Sequence, residues 1–343
     1  MYDPLINAVP SGGRARRGRP QPLVIIVASL VALAGAAAVV RETAGQTSSA
    51  SRHSPQLAAQ AAPARVADAS PQANPPPVNW VAKDQDINVA GRDRSYRLVR
   101  PAAVSATKLP ILVVLHGREM TPAATVDQTG FLPIIGPAIV AYPAGFEASW
   151  NAGACCAGAH AAGIDDVSFV TSLVKQIEDG QPDASQTVYV VGYSNGGRLA
   201  YRLACQAPGM FAAVAAVEAA SVYPCPKPAP IPMLMVASTD DPLLRVDDGE
   251  PPIVVDGFTQ ESMTMSATNW ATADGCQVSS VRHTAPDLTT TAWSSCAMGS
   301  RVELAVYQGG SHAWPDGSAT TPSAERVVWR FFHPPTGAGT APA

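Results

Sequence analysis

The sequence carries little charge. Asp, Glu, Lys and Arg make up 15% of its 343 residues, and the formal net charge is −4. No cluster of basic residues occurs in the body of the chain, so a polyanionic partner such as nucleic acid is not expected. The apolar fraction of 47% is nevertheless large enough to build a sizeable hydrophobic core.

Cysteine is absent from the first 154 residues and occurs six times after them. None of the six has the Cys-x-x-Cys or Cys/His spacing of a zinc site, so no metal site and no cofactor is predicted. An even number of cysteines outside the cytoplasm favours disulfide bonds. The residues concerned are Cys155, Cys156, Cys205, Cys225, Cys276 and Cys296.

One long uncharged apolar run begins the chain, from Leu23 to Val40, and four arginines between positions 14 and 19 precede it. A basic segment followed by such a run predicts a signal peptide over residues 1–40, with small residues at 36–38 for cleavage. Eighteen apolar residues are also just enough to span a bilayer, so membrane attachment through 23–40 as a signal-anchor remains open. Both alternatives place the rest of the chain outside the cell. Because the run lacks cysteine, a lipobox-type lipid anchor is excluded.

Residues 41–79 are rich in Ala, Ser, Gln and Pro and poor in large apolar side chains. Such a segment cannot bury a core, so we predict a disordered linker there. A folded domain is expected over 80–335, followed by a disordered tail over 336–343.

Within 80–335, apolar runs of strand length alternate with segments of helical spacing. An opening hairpin is predicted over 87–100, and later strands over 111–115, 137–142, 187–191, 211–217, 232–237 and 301–306. Helices are predicted over 165–177, 260–273 and 325–332. This alternation predicts an α/β fold, a mainly parallel sheet with helices on both faces.

The most informative stretch is Gly192-Tyr-Ser194-Asn-Gly196, which follows a β-branched strand and precedes an apolar helical run. A serine at such a sharp strand-to-helix turn is typical of the nucleophile elbow of an α/β-hydrolase. The glycines fit because a bulkier neighbour would clash with the turned backbone. The alternative is a glycine-rich turn that merely exposes a serine.

A nucleophilic serine needs a base, and the base needs a group that fixes its tautomer. In this fold they follow in the order serine, acid, histidine. His312 lies in a Gly-rich loop just after a strand, whereas His283 lies within a strand and His333 beside two prolines, so His312 is the candidate base. For the acid we choose Asp241, after the strand over 232–237, with Asp240 as the alternative.

These motifs together resemble the secreted esterases of the polyhydroxybutyrate depolymerase and feruloyl esterase family. The resemblance covers about residues 80–335 in the family's order. It is carried by Leu115-His-Gly117, Trp150 with Cys155-Cys156, Asp165-Asp-Val-Ser-Phe169, Gly192-Tyr-Ser-Asn-Gly-Gly197, Thr239-Asp-Asp-Pro242 and Gly310-Ser-His-Ala-Trp-Pro315.

The resemblance implies Ser194 as nucleophile, Asp241 as acid and His312 as base. It also implies an oxyanion hole formed by the N–H groups of Asn195 and Arg118, or Gly117 in place of Arg118. The sequence departs from the family at three places, which put the substrate pocket in doubt more than the triad. These are Arg118 where a small residue is commoner, Ala237-Ser238 in place of His-Gly, and Arg245-Val246 in place of Pro-Tyr.

Cys276 and Cys296 flank a predicted strand pair and should bridge locally. The family's arrangement implies that Cys155 and Cys156 pair with Cys205 and Cys225, in an order left open, in preference to a bond between the two neighbours. His116 is expected to brace the loop after its strand, and Asp165 and Asp166 to cap a helix.

Three aromatic residues flank the proposed site, namely Trp150, Tyr193 and Trp314. They are candidates for stacking on a sugar or ferulate ring, and for Trp314 packing under the His312 loop is the stronger alternative.

The sequence therefore predicts a secreted, monomeric serine hydrolase that cleaves carboxylic esters of small molecules or polymers through an acyl-enzyme. The expected substrates are feruloyl, acetyl or short hydroxyalkanoate esters. An acyltransferase on the same fold is the first alternative, and a catalytically inactive binding module is a weaker one. No separate substrate-binding domain is evident, which favours soluble or short-chain esters over insoluble polyester granules.

Overall fold

A computed structural model describes residues 75–225, 228–249, 251–255 and 257–334. The predicted signal segment over 1–40, the linker up to residue 74 and the tail over 336–343 lie outside the described residues. Within the described ranges, no helix combines the length and the apolar character needed to cross a bilayer.

Ten strands form one sheet, and a two-stranded hairpin stands apart from it. In chain order the strands are β1 (Trp80–Val89), β2 (Arg92–Pro101), β3 (Leu109–Leu115), β4 (Ile139–Pro143), β5 (Ala184–Tyr193), β6 (Ala213–Val217), β7 (Met233–Ser238), β8 (Val254–Val255), β9 (Phe258–Thr259), β10 (Val278–Ala285), β11 (Leu288–Ser294) and β12 (Val302–Tyr307). The helices are α1 (Pro122–Thr129), α2 (Ala157–Ala161), α3 (Asp166–Gly180), α4 (Asn195–Gln206), α5 (Met263–Ala273) and α6 (Ala324–Phe332).

The large sheet has the order β1-β2-β4-β3-β5-β6-β7-β12-β11-β10. Its six central strands, from β4 to β12 in that order, are parallel to one another. An antiparallel hairpin extends each edge, with β1 and β2 at one side and β10 and β11 at the other. The predicted fold class, an α/β protein with a mainly parallel sheet, is confirmed.

The continuous apolar runs of the central strands arise because both faces of the sheet are covered. Along β3, Ile111, Val113 and Leu115 belong to a core shared with apolar side chains of α3, α4 and α5. The alternate residues Leu112 and Val114 belong to a second core that includes five apolar side chains of α6. Successive strand residues point to opposite faces, so one seven-residue strand contributes to both cores.

Helix α3 begins where the sequence predicts a cap. The Asp165 carboxylate accepts the Ser168 N–H at 3.0 Å, as an N-cap side chain does. Asp166 does more than complement the helix dipole, because it is fully buried and pairs with Arg94 at 2.9 Å. Helices α1 and α2 were not predicted, since they are only eight and five residues long and show little apolar periodicity.

One predicted disulfide is confirmed and the other pairing is wrong. Cys276 and Cys296 bridge across the β10–β11 hairpin, as expected. Cys205 is bonded to Cys225, and Cys155 to its neighbour Cys156. The physical reason is distance: both neighbouring sulfurs contact Arg198 in the first turn of α4. Cys205 lies seven residues, roughly 10 Å, further along that helix than Arg198, so the neighbouring pair and Cys205 are held at different turns of α4.

Candidate active site

Ser194 occupies the sharp turn between β5 and α4. Its backbone has φ 52° and ψ −117°, a left-handed conformation that is rare for a residue with a side chain. The turn is held by the Ser194 N–H, which donates to Val217 O at 2.9 Å. The next turn of helix lies close against β3, because a Cβ at Gly196 would stand 2.5 Å from the carbonyl oxygens of Leu115 and His116. The strained serine is the geometry that the nucleophile elbow requires.

The structure brings Ser194, His312 and Asp241 together from three separate loops. The His312 Nε2 atom lies 2.7 Å from Ser194 Oγ, and His312 Nδ1 lies 2.7 Å from Asp241 Oδ2. Asp241 is buried, whereas the His312 side chain keeps 19% of its surface exposed. The neighbouring Asp240 is exposed and contacts Thr239 Oγ1. Of the two candidate acids, Asp241 therefore faces the histidine.

The hydrogen bonds around Asp241 determine the tautomer of His312. Burial raises the pKa of Asp241, but hydrogen bonds from His312, Glu218 and the Leu243 N–H outweigh it and leave that pKa below its ordinary value. An ionised carboxylate only accepts hydrogen bonds, so His312 Nδ1 carries the proton. His312 Nε2 then presents its lone pair to the Ser194 hydroxyl, which is the arrangement a general base needs.

Tyr193 supports the loop that carries His312. Its hydroxyl donates to the backbone oxygen of His312 at 2.8 Å, and the two rings lie 5.6 Å apart. On the other side, a Cβ at Gly117 would lie 2.8 Å from the Tyr193 ring. The residue before the nucleophile therefore connects the histidine loop to the loop after β3.

His116 braces the loop after β3, as expected. Its Nδ1 donates to Gly117 O at 2.7 Å and its Nε2 accepts the Gly145 N–H at 2.9 Å. Burial lowers the pKa of His116 to about 4, so the ring is neutral near pH 7 and can accept at Nε2. Arg118 follows on this loop with an exposed side chain, and the next N–H, that of Glu119, donates to Ala148 O at 2.8 Å.

Asn195 is the first residue of α4, where backbone N–H groups have no partner within the helix. Its buried side chain holds the backbone of Trp150: Oδ1 accepts the Trp150 N–H at 2.8 Å and Nδ2 donates to Trp150 O at 2.9 Å. This leaves the backbone N–H of Asn195 as the group beside Ser194 that is suited to an anion.

The family model described as "Putative esterase" matches residues 87–311. The chain belongs to this esterase family. The protein called "Putative esterase NocK" from Nocardia uniformis subsp. tsuyamanensis is 28% identical over 77% of this chain and 83% of its own length.

Two further relatives are feruloyl esterases. Feruloyl esterase B of Piromyces equi is 26% identical and matches 63% of this esterase and 42% of its own length. Feruloyl esterase C of Emericella nidulans is 28% identical over 57% of this chain and 65% of its own length. The protein is thus an esterase, a carboxylic ester hydrolase.

The three aromatic residues that are candidates for stacking on substrate, Trp150, Tyr193 and Trp314, are all buried in the esterase. Trp150 is 0% exposed, and its Nε1 donates to His116 O at 2.9 Å. Trp314 is 4% exposed, contacts the rings of Phe131 and Tyr193, and donates to Glu325 at 3.1 Å. These contacts hold the loops of the site in place and favour the packing alternative for Trp314.

Two residues near the acid were not identified from the sequence. Glu218 directly follows β6, and its buried carboxyl accepts the Ser238 hydroxyl at 2.6 Å and interacts electrostatically with Asp241. The available signal was a lone acidic residue at the end of an apolar strand, because carboxyl ends of parallel strands meet at one edge of the sheet. Ser238 was seen only as a departure from the family pattern. Across the described ranges, no three His, Cys, Asp or Glu side chains of the esterase converge as metal ligands would.

Proposed function

We propose that this esterase is an exported serine hydrolase that cleaves carboxylic esters through an acyl-enzyme on Ser194. The observation that carries the proposal is the continuous chain from Ser194 Oγ through His312 to Asp241, with both contacts at 2.7 Å. A serine in hydrogen-bond contact with an oriented imidazole is the arrangement that activates a hydroxyl for attack.

In the acylation step, His312 Nε2 takes the Ser194 proton while Oγ attacks the carbonyl carbon of the ester. The backbone N–H groups of Asn195 and Arg118 donate hydrogen bonds to the carbonyl oxygen and stabilise the negative charge that develops on it. Each such donor contributes about 10²–10³-fold in rate. The C–O bond to the alcohol then breaks, and the imidazolium returns its proton to the leaving oxygen.

In the deacylation step, water takes the place of the alcohol. His312 Nε2 accepts one proton of the water as its oxygen attacks the acyl carbon, and the bond to Ser194 Oγ breaks with return of that proton to the serine. The free carboxylic acid leaves and the esterase is regenerated. If an alcohol replaced water here, the same residues would perform acyl transfer.

Feruloyl esters are the first substrate class we propose, and two relatives named as feruloyl esterases support this choice. Acetyl esters and short hydroxyalkanoate esters are the other classes to test. The buried positions of Trp150, Tyr193 and Trp314 mean that a ferulate ring would be recognised by other side chains. Leu243, which donates its N–H to Asp241 and is 36% exposed, offers apolar surface beside the acid.

An extracytoplasmic location is proposed on two grounds. Three disulfides occur among the described residues, and disulfides persist in oxidising compartments. The arginine-rich start followed by the apolar run over 23–40 is the pattern of an export segment.

The test compares the wild type with Ser194→Ala on methyl ferulate, p-nitrophenyl acetate, acetylated xylan and hydroxybutyrate oligomers. Loss of the nucleophile should lower kcat by on the order of 10⁴-fold or more on every substrate that is turned over. Ser279→Ala, on the exposed edge strand β10, is the matched control and should behave as wild type. Intact-mass spectrometry should detect an acyl adduct in wild type only, and added alcohol would reveal any transferase activity. Hydrolysis by Ser194→Ala at the wild-type rate would refute the proposal.

A further inference from the structure

Two carboxyl groups meet at the end of the sheet that carries the site. Glu218 follows β6 directly and Asp241 comes three residues after β7, the neighbouring parallel strand. Both residues are buried, Glu218 at 0% and Asp241 at 2% exposure. Glu218 has φ 48°, a left-handed backbone conformation, and its N–H donates to Val236 O at 2.8 Å. The backbone thus holds this glutamate at the turn beside the acid of the triad.

The contacts of the two carboxyls are unequal. Glu218 accepts the Ser238 hydroxyl at 2.6 Å and the Ser238 N–H at 3.2 Å. Asp241 accepts the His312 Nδ1–H and the Leu243 N–H, both at 2.7 Å. In addition, the Asp241 N–H donates to Ser238 O at 3.4 Å, so both acids lie against Ser238, and each carboxyl shifts the pKa of the other. Two adjoining buried carboxylates repel each other, so such a pair holds one proton.

The proton belongs on Glu218. Burial, and then the neighbouring Asp241, raise the pKa of Glu218 to about 9, and the bonds from Ser238 offset only part of that rise. Among the described residues, the phenols of Tyr193 on β5 and Tyr307 on β12 also interact with Glu218. Burial raises the pKa of Tyr193 to about 12, and the pKa of Tyr307 is raised as well, so both phenols stay neutral where Glu218 titrates.

We propose that Glu218 is a positioning residue of the esterase: its protonated carboxyl, held by Ser238, donates a hydrogen bond to Asp241 and fixes the carboxylate that orients His312. The inference rests on the proposed function, which assigns Asp241 its role. It also accounts for Ser238 at the end of β7, where the family pattern has another residue, because its hydroxyl and N–H together hold the Glu218 carboxyl.

The test measures kcat and KM from pH 6 to 10 for wild type, Glu218→Gln and Glu218→Ala. The amide of glutamine can donate to Asp241 and accept from Ser238, so Glu218→Gln should keep kcat within about threefold at pH 7. Glu218→Ala loses a hydrogen bond to a charged group and should lower kcat at least tenfold, with KM little changed. In wild type, kcat should fall as the pH rises through about 9, because ionised Glu218 no longer donates and repels Asp241. Glu218→Gln should lack that fall.

Two further variants separate positioning from mere stability. The control is Asp274→Asn, because Asp274 is another buried acid that accepts a serine hydroxyl, that of Ser300 at 2.5 Å. It lies at the opposite ends of the parallel strands from the site, where its carboxylate accepts the N–H of Ile231. Asp274→Asn should lower stability and keep the wild-type fall near pH 9. Ser238→Ala removes a bond that lowers the pKa of Glu218, so the fall should move to higher pH, and this holds even if Glu218→Ala fails to fold.

Three results would overturn the inference: a fall near pH 9 that persists in Glu218→Gln, wild-type kcat in Glu218→Ala, or a pH profile of Ser238→Ala that does not move. If Ser194→Ala is inactive while these results are obtained, the proposed function stands and only the role of Glu218 is wrong. If Ser194→Ala is active, the proposed function itself has failed.

Discussion

At the scale of single residues, the two adjacent aspartates after β7 provide a sharp comparison. Asp241 is buried against His312, whereas Asp240 is exposed and one residue away. Asp241→Asn should lower kcat by roughly 10³–10⁴-fold, because the amide disturbs the tautomer and orientation of His312. Asp240→Asn, identical in chemistry, should be nearly silent. Steady-state kinetics on p-nitrophenyl acetate measures both, and a larger loss at Asp240 would move the acid by one position.

Some residues of the site could be predicted from the sequence and others could not. Ser194 and His312 were predictable because each stands in a loop directly after an apolar strand, where local pattern and position coincide. The burial of Trp150 was not predictable, since nearness in sequence to a site does not tell which way a ring points. Glu218 was missed because its partner lies on the neighbouring strand, and an acidic residue next to a strand is ordinarily solvated.

At the scale of elements, the loop after β3 depends on a neutral His116. The pKa of this ring falls from 6.5 to about 4 on folding, because it is buried. The unfolded chain therefore binds a proton at His116 between about pH 6.5 and 4 while the folded chain does not. Neutral His116 therefore contributes about 3 kcal/mol to the free energy of unfolding above pH 6.5, and this contribution is lost as the pH falls to 4.

The matching variant is His116→Gln, which cannot titrate. It should be less stable than wild type at pH 7, and the difference in free energy of unfolding should narrow by about 3 kcal/mol on going to pH 4. Urea unfolding at a series of pH values measures this difference. A difference that stays constant between pH 6.5 and 4 would contradict a neutral, buried His116.

The disulfides differ in how much chain they close. Cys276–Cys296 spans a sequence separation of 20, whereas Cys155–Cys156 spans a separation of one. By loop-closure entropy, the double variant Cys276→Ala/Cys296→Ala should lose about 3 kcal/mol of stability. Cys155→Ala/Cys156→Ala should lose much less from this source. Denaturant unfolding compares the two, and peptide mapping of unreduced protein tests the pairing. Equal losses would show that loop length does not govern the stabilisation.

Elements were more predictable than their pairings. The run over 111–115 is apolar at every position because both faces of β3 are covered, and this pattern identifies a central parallel strand without further information. The predicted pairing of Cys155 and Cys156 with Cys205 and Cys225 was wrong because the pairing depends on how α4 lies relative to the loops that carry the other cysteines. A sequence separation of seven along α4 places Arg198 and Cys205 about two turns apart, and the sequence alone does not tell which cysteines lie beside which turn.

At the scale of the whole molecule, the core and the triad come from residues 80–332. Both large hydrophobic clusters begin and end within that range. A shortened chain beginning at Pro75 should therefore fold and keep kcat/KM within about twofold, because no described contact of the core is removed. Thermal unfolding and kinetics against the full chain measure this, and an insoluble or inactive product would place the domain boundary elsewhere.

The two ends of the described chain lie at the same side of the sheet, opposite Ser194. Trp80 pairs with Pro101 at the far end of the β1–β2 hairpin, and α6 finishes where Phe331 O accepts from Arg301 at the start of β12. A bead, a cell surface or a fused reporter joined at either end would thus sit behind the molecule. Polymer chains approaching from the surrounding liquid would meet the serine without passing the attachment point, so immobilisation of a shortened chain through residue 75 or 334 should leave large substrates unobstructed.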